Sequence, residues 1–433
     1  MRHWLFRACA AGVTAGVTAV SLTACGTGSG TTDTDGGGGF TGRGPITLAT
    51  GKDNSGTLTR IVGRWNSSHP DEKVRVIELS DSPDEQRRRM IQNAELKSPE
   101  FSVLNLDLVW TAEFAGHRWI DELPRAKFDS DTYLAPTLAG ASYRGRLYAA
   151  PWTSDGGMLY FRTDLLAKAK AEPPTTWSQL EATCKKVLAL PEAEGMSCYS
   201  GQFEKYEGLT VNFAEMVESA GGSVVDGKGA PTVDSPEALK GLEFLTGAYR
   251  SGLIPKKAIT FKEEEGRQAF QKGELVFHRQ WPYQWSLANA EDGSSKVAGK
   301  FAVAPLPGLD GPGVSSLGGH NLAVSSFARN KATALDFVTF MTDERLQREN
   351  LLLGSNAPTA AALYEDEELI AKYPYLPVLK KSILSAVPRP RVVRYGDATA
   401  AIQDAAYRAL KGEVPPEESL AQLQKKLERI TKS

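Results

Sequence analysis

The stretch that decides the fold begins with Pro45-Ile46-Thr47-Leu48-Ala49-Thr50, a short run typical of a β-strand. Apolar residues then recur at helical spacing over Ser55–Ser68. The same order returns with a strand pattern over Val74–Leu79, a helix pattern over Asp84–Glu95 and a strand pattern over Leu106–Trp110. Strands that alternate with helices in this way predict an α/β fold, in which helices cover both faces of a parallel sheet.

Strand and helix patterns continue beyond this stretch to the end of the chain. A proline- and glycine-rich segment, Ala304–Gly313, interrupts them and is typical of a linker. Two amphipathic helices are predicted at the end of the chain, over Ala398–Lys411 and Pro416–Thr431.

The composition excludes some classes of function. The 433 residues include 50 basic and 52 acidic side chains, so no charge excess points to nucleic acid or to an acidic membrane surface. The five histidines are not spaced as metal ligands, and we expect neither a metal nor a cofactor. The length predicts two domains at about 150 residues each.

The first 24 residues have the pattern of a secretory signal. Arg2 and Arg7 are followed by an uncharged stretch that is too short and too weakly apolar to span a bilayer. The order Leu22-Thr23-Ala24-Cys25 resembles the lipobox of bacterial lipoproteins. In these proteins the cysteine sulfur receives a diacylglycerol, the preceding peptide is cut away, and the cysteine becomes the first residue. The alternative is an ordinary secretory signal in which Cys25 lies near the cleavage site by chance.

Residues 25–44 are predicted to be a lipidated cysteine followed by a flexible tether, because Gly26–Gly44 is dominated by glycine and small polar residues. Cys9 would be removed with the signal, which leaves Cys184 and Cys198 in a compartment where disulfides form. We expect these two cysteines to be paired.

Motifs of catalysis are weak or absent. The segment Gly222–Gly229 nearly matches a P-loop, but it lacks the Ser or Thr that meets magnesium, and the following Ala230-Pro231 does not open a helix. No nucleophile elbow and no zinc-protease helix occurs. The run Glu263–Glu265 fits either a pair of glycosidase carboxylates or a solvated helix start, and sequence spacing does not separate the two.

The segment Trp281-Pro282-Tyr283-Gln284-Trp285 is more informative. It follows a predicted strand at a βα boundary, where α/β folds place ligands. Flat aromatic rings suit the apolar faces of sugars, whereas the alternative is that the same rings belong to a hydrophobic core.

Several segments occur in the order seen in a known family. They are Ile46–Ala49 after the tether, Leu147–Pro151 leading to Leu159–Leu166, Phe270–Val276 leading to Gln280–Tyr283, and Gly318–Val324. The whole mature chain resembles the extracellular solute-binding proteins of bacterial ABC sugar importers, of the maltose and trehalose type. Within that family it looks closest to the actinobacterial trehalose-binding lipoproteins.

The resemblance implies a two-lobed fold like that of periplasmic binding proteins, with discontinuous lobes and a ligand cleft between them. The first lobe would comprise residues 44–149 and 315–354, and the second residues 150–314 and 355–433. It also implies a monomer without catalytic residues that binds a di- or oligosaccharide. The protein would deliver the sugar to permease subunits while anchored by lipid at the extracellular face of the cytoplasmic membrane.

The resemblance also implies a set of ligand residues. Asn54 follows the first strand, where a helix cap is the alternative role, and Gln86 is either a sugar-binding amide or a solvated residue. Asp107 is a lone carboxylate on an apolar strand, which hydroxyl donors would satisfy. Asp155 stands where the trehalose-binding relatives have Asn, which leaves the exact sugar open.

Further positions of the family site complete the set. Either Glu263 or Glu264 matches a family carboxylate, Trp281 matches the stacking ring, and Tyr283 lies in the same aromatic loop. Gly318 and Gly319 would let the backbone approach the ligand closely. Arg389 matches the arginine of a family Arg-Pro pair and would donate to paired hydroxyls or clamp a carboxylate.

Two other functions stay open at this point. One is a secreted enzyme that processes glycosides, which turnover of a labelled disaccharide would reveal. The other is a binding protein of the same fold for a different ligand, such as a polyol or a sugar phosphate.

Overall fold

The computed structural model describes residues 39–53 and 56–431. The strands are β1 (Ile46–Thr50), β2 (Val74–Glu78), β3 (Val103–Asp107), β4 (Ser142–Tyr143), β5 (Arg146–Leu147), β6 (Ala150–Gly156), β7 (Met158–Arg162), β8 (Ser197–Ser200), β9 (Leu275–Gln280), β10 (Phe301–Ala304) and β11 (Leu317–Val324). The α-helices are α1 (Thr57–Ser68), α2 (Pro83–Glu95), α3 (Thr111–Gly116), α4 (Ala135–Gly140), α5 (Thr163–Lys168), α6 (Trp177–Leu188), α7 (Glu207–Ser219), α8 (Pro236–Ser251), α9 (Glu263–Gln271), α10 (Gln284–Ala288), α11 (Lys331–Met341), α12 (Glu344–Gly354), α13 (Glu367–Lys372), α14 (Leu376–Ser385), α15 (Tyr395–Leu410) and α16 (Pro416–Thr431).

The first sheet has the strand order β2-β1-β3-β11-β6. The three strands of the opening stretch are parallel, as predicted, but β11 runs antiparallel to both β3 and β6. The sheet is therefore mixed, because the parallel arrangement predicted from the opening strands does not extend to β11 and β6. Two of its strands arrive from distant parts of the chain, so the pattern of the first 110 residues did not reveal them.

The second sheet has the order β10-β7-β9-β8. Strand β7 is antiparallel to β9 and β10, and β8 is parallel to β9. All residues of β7 and of β9 are buried. Strand β7 and the first half of β9 are accordingly apolar, whereas β9 ends in the buried polar residues His278, Arg279 and Gln280.

The chain passes from the first sheet to the second at Gly156 and Gly157, between β6 and β7. A Cβ atom on Gly157 would lie 2.7 Å from an Arg279 nitrogen and 2.9 Å from a Glu215 oxygen, so only glycine fits there. Strand β6 pairs within the first sheet, although residues from 150 onward were assigned to the second lobe. The exact lobe boundaries stay a prediction.

Local signals place the helix ends. The Thr176 side chain accepts the backbone N–H of Gln179 in a capping box that starts α6. Ser235 caps α8, with Pro236 at its first position, and Gly252 ends this helix with φ of 84°. The two helices predicted for the end of the chain are present as α15 and α16.

Two boundaries differ from the sequence prediction. The strand placed at residues 106–110 ends at Asp107, because the Asp107 side chain accepts the N–H of Val109 and starts a 3-10 helix. Residues 39–44, assigned to the tether, contact the folded domain. Arg43 forms ion pairs with Glu72 and Asp336 there. The signal segment, Cys25, the rest of the tether and Asn54 lie outside the described residues.

No helix among the described residues is long and apolar enough to cross a membrane. The predicted pairing of Cys184 with Cys198 is confirmed, and the bridge ties α6 to β8. Both cysteines are buried.

We predict that replacing Cys184 and Cys198 together by alanine lowers the free energy of unfolding by about 3 kcal/mol, because a loop of 14 residues is no longer closed in the unfolded chain. Urea unfolding of the oxidised protein and of the double variant measures the difference. Reduced wild-type protein serves as the control and should match the variant. Equal midpoints for oxidised protein and variant would contradict this prediction.

Candidate functional site

A cavity of about 290 Å³ lies between the two sheets. The first sheet contributes the ends of β1 and β3 and parts of β6 and β11. The opposite side is formed by α7, by the start of α9 and by the loop that follows β9. The volume is close to the lower end, about 300 Å³, of pockets that bind small organic molecules.

Four helices begin at this cavity. The first turns of α1, α2, α7 and α9 all contribute lining residues. Asp53 caps α1 by accepting the N–H groups of Gly56 and Leu58 at 3.1 and 2.7 Å. Asp84 accepts the N–H of Glu207 at 2.9 Å and so caps α7 from another element. Acidic side chains are favoured at helix N-termini, which explains why so many surround one cavity.

The cavity brings together the site residues predicted from the sequence, apart from Asn54, which lies outside the described residues. Those that line it are Gln86, Asp107, Asp155, Glu263, Glu264, Trp281, Tyr283, Gly318, Gly319 and Arg389. They come from both sides of the cavity. Their roles as ligand contacts stay a prediction.

Arg389 is held by two carboxylates rather than facing the cavity alone. Its Nη2 and Nη1 donate to the two oxygens of Asp107 at 2.9 and 3.1 Å, and Nη1 also donates to Glu207. Only 2% of the Arg389 side chain is exposed. Both carboxylates belong to the protein itself, and a contact of Arg389 with the ligand stays a prediction.

This cluster changes the interpretation of Asp107. From the sequence, sugar hydroxyls were expected to be the hydrogen-bond partners of the Asp107 carboxylate. In the structure the Arg389 guanidinium already binds both of its oxygens. Asp107 still lines the cavity with 14% of its side chain exposed. Its carboxylate has accepting capacity beyond those bonds, so a ligand hydroxyl could be added without displacing Arg389.

Glu207 is the second anchor of this cluster, and the sequence gave no indication of it. It accepts hydrogen bonds from Tyr395 and from Thr399, the latter at 2.7 Å. Burial raises the pKa of Glu207 above its ordinary value, although the Arg389 charge opposes this shift. Arg389, the charged partner of Glu207, lies 182 residues away in the sequence, so no local pattern could identify Glu207 as part of the site.

Trp281 and Tyr283 are the aromatic residues of the loop after β9. The Trp281 ring lies close to Gly318, where a Cβ atom would be 3.0 Å from the ring. The Tyr283 hydroxyl donates to Glu264 at 2.8 Å, and Arg267 forms an ion pair with the same carboxylate at 2.7 Å. Trp285 instead packs against Phe301 and Tyr375 at ring distances of 5.1 and 4.9 Å. Trp281 and Tyr283 of the loop therefore line the cavity, whereas Trp285, in the first turn of α10, packs against the core.

The two candidate glutamates differ in their surroundings. Glu264 is fixed by Arg267 and Tyr283. Burial raises the pKa of the Glu263 carboxyl. Because both line the cavity, the register of the family carboxylate stays open.

Asp155 has none of the partners that hold the carboxylates of Asp107, Glu207 and Glu264. No hydrogen bond or ion pair to its side chain occurs within the described part of the chain. Burial raises the pKa of Asp155 to about 7, while the nearby Arg279 charge opposes the shift. Near neutral pH this group can therefore exist as a hydrogen-bond donor or as a pure acceptor.

Several other lining residues were not singled out from the sequence, among them Trp110, Trp152, Lys262 and His320. Trp152 follows the segment Leu147–Pro151 and lies three residues before Asp155, so the aromatic argument applied to Trp281 could have found it. No group of three or more His, Cys, Asp or Glu side chains suited to a metal occurs within residues 39–53 and 56–431.

Comparison with known proteins identifies the class. Residues 49–348 match the family model of the bacterial extracellular solute-binding proteins. This match spans well over half of the chain, and the protein belongs to that family. The predicted resemblance to the solute-binding proteins of ABC sugar importers and the two-lobed α/β fold are thereby confirmed, whereas the closer likeness to trehalose-binding lipoproteins stays a prediction.

Individual relatives agree with this assignment. A probable ABC transporter-binding protein of Deinococcus radiodurans is 32% identical over 371 residues, which cover 82% of this chain and 86% of that protein. The structure of maltose-bound MalE3 from T. maritima is 32% identical, with a TM-score of 0.84, and covers 89% of this chain and 99% of that chain. A solute-binding protein of Agrobacterium vitis with bound D-mannitol, 21% identical, covers 90% of this chain and 98% of that chain at a TM-score of 0.75, and shows the fold alone.

We predict that Asp155→Asn changes how stability depends on pH. A carboxyl whose pKa rises on folding, here from 3.8 to about 7, keeps a proton that the unfolded chain has lost. Its contribution to stability therefore falls as pH rises through that window. An asparagine at position 155 does not titrate, so the free energy of unfolding of the variant does not fall for this reason. The difference in free energy of unfolding, variant minus wild type, should therefore increase between pH 4 and about 7 and then level off.

Urea unfolding at several pH values tests this prediction, with Asp226→Asn as the control. Asp226 lies in an exposed turn where backbone N–H groups lower its pKa, so its effect is confined to pH below about 4. The prediction fails if the difference in free energy of unfolding between Asp155→Asn and wild type stays constant from pH 4 to about 7. Asp155 would then not be neutralised by burial.

Proposed function

We propose that the protein captures a di- or oligosaccharide, an α-linked glucoside such as maltose or trehalose, and presents it to an ABC importer. The observation that supports this most directly is the composition of the cavity. Trp281 offers a flat ring, and Asp155 offers a carboxylate with no partner in the described residues. Apolar ring faces and polar hydroxyl edges alternate on a pyranose, and this pair of side chains matches both.

Capture would involve closure of two lobes on the sugar. The first lobe is built around the sheet that contains β1, β3 and β11, and the second around the sheet that contains β7 and β9. We keep the lobe boundaries inferred from the resemblance, except that β6 goes with the first sheet, to which it is paired. The permease would recognise the closed form, in which ligand bridges residues of both sheets.

A polyol or another sugar derivative is the second candidate ligand. Asp155 is the reason to consider a ligand other than trehalose, because the trehalose-binding proteins that this chain resembles have Asn at that position. The bound D-mannitol of the Agrobacterium vitis protein shows that this fold accommodates a polyol.

A thermal-shift panel with maltose, trehalose, mannitol and a sugar phosphate tests the proposal, because a ligand that binds only the native state raises its apparent stability. We expect the largest increase in melting temperature with an α-glucoside. A largest shift with mannitol would support the second candidate. No shift with any sugar or polyol would contradict both. Incubation with a labelled disaccharide, followed by product analysis, would reveal a glycoside-processing enzyme.

We predict that Trp281→Ala weakens binding of the sugar found by the panel about 30- to 1000-fold, because loss of a buried aromatic contact costs about 2–4 kcal/mol of binding. The control is Trp285→Ala, which removes a ring from the first turn of α10 that packs on Phe301 and Tyr375 instead of lining the cavity. That variant should lose stability but keep its affinity. Calorimetric titration and melting of both variants measure the two effects, and wild-type affinity in Trp281→Ala would exclude the stacking role.

The lipid anchor is a separate part of the proposal. It is supported by the order Leu22-Thr23-Ala24-Cys25, which resembles a lipoprotein processing site. An anchored protein would stay at the extracellular face of the membrane beside its permease.

We predict that Cys25→Ala leaves unprocessed precursor or releases protein into the medium. Mass spectrometry of the wild-type protein should find diacylglycerol on a mature N-terminal Cys25. A mature chain with an unmodified Cys25 on most molecules would contradict lipidation.

A further inference from the structure

The Trp281 ring rests on a buried charge. The Cζ atom of Arg279 lies 3.8 Å from the centroid of the Trp281 ring, and Arg279 is 1% exposed. A guanidinium at this distance covers one face of the indole and attracts it through the ring quadrupole. Trp281 itself is half-buried and lines the cavity, so Arg279 lies behind the ring rather than among the groups that line the cavity.

Arg279 is fixed by several partners. Its Nε and Nη2 donate to the two oxygens of Glu215 at 2.7 and 2.5 Å, and Nη1 donates to Gln202 at 3.2 Å. Glu215 is 3% exposed and also accepts the backbone N–H of Ser316 at 3.1 Å. A bidentate pair of this kind fixes the plane of the guanidinium and therefore the plane on which the indole lies.

The backbone leaves room for this arrangement at two glycines. A Cβ atom on Gly157 would meet the Arg279 and Glu215 side chains at 2.7 and 2.9 Å. A Cβ atom on Gly318 would lie 3.0 Å from the Trp281 ring. The ring is thus confined on one face by Arg279 and at one edge by Gly318.

Stability alone is a weak explanation for the pair. A buried ion pair often contributes no more to stability than well-packed apolar residues, because both charges must be desolvated. What Arg279 and Glu215 provide in addition is a rigid, planar surface directly behind the ring.

We propose that Arg279 is a positioning residue, which fixes the orientation of the Trp281 ring in the unliganded protein and thereby sets the affinity for the sugar. This inference rests on the proposed function, since it assumes that the ligand stacks on Trp281. It assigns to Arg279 and Glu215 a role in binding although neither lines the cavity.

The experiment uses Arg279→Lys, which keeps the charge but loses the planar stack, and the double variant Arg279→Gln with Glu215→Gln, which removes both buried charges. Arg162→Lys is the matched control, because Arg162 is a buried arginine in a bidentate pair with Asp164 and lies outside the residues that line the cavity. The unliganded proteins are labelled with 5-fluorotryptophan, and Trp281→Phe assigns the Trp281 resonance in the fluorine NMR spectrum. Maltose is the titrated probe.

We expect the Trp281 resonance to shift or broaden in both Arg279 variants and to stay in place in Arg162→Lys. Maltose affinity should fall on the order of tenfold in Arg279→Lys, which is about 1.4 kcal/mol, and Arg162→Lys should bind as wild type. An unchanged Trp281 resonance in the folded Arg279 variants would overturn the inference, as would a displaced ring with wild-type affinity. If maltose does not bind wild type, the proposed sugar fails while the resonance still decides whether Arg279 positions the ring.

Discussion

The cavity depends on the ion cluster of Arg389 with Asp107 and Glu207. Asp107 ends a strand of the first sheet, whereas Glu207 starts α7, which lies on the opposite side of the cavity. Removing one partner from a buried pair typically costs about 3–5 kcal/mol, because the other charge stays desolvated. The three side chains therefore join the end of β3 to the start of α7 across the cavity in this structure.

The same region shows how a protein can gather many acidic groups without prohibitive repulsion. Asp53 and Asp84 accept backbone N–H groups at helix starts. Glu264 and Asp107 each face an arginine. Asp155 has neither kind of partner in the described residues, and burial raises its pKa to about 7 instead. The Asp155 carboxyl is thereby left available to a ligand, and the Trp281 ring, suited to a sugar face, lines the same cavity.

The sequence predicted local features well and distant contacts poorly. The strands and helices between Ile46 and Glu95 follow from hydrophobic periodicity, and the pairing of Cys184 with Cys198 follows from counting cysteines in an oxidising compartment. Only the family resemblance placed residues 315–354 in the first lobe, because the pairing of β11 with β3 joins residues more than 200 positions apart and leaves no local pattern. The contact of Arg389 with Asp107, which spans 282 positions, was missed for the same reason. The candidate ligand residues came from resemblance to a family, since no spacing rule could collect them.

The central claim is that a sugar binds between the two sheets with one ring face on Trp281. A crystal structure of the protein with the sugar selected by the thermal-shift panel tests it most directly. We predict a pyranose ring stacked on the Trp281 indole, with a hydroxyl within hydrogen-bond distance of Asp155. A sugar bound elsewhere, or bound in the cavity without contact to Trp281, would contradict this account.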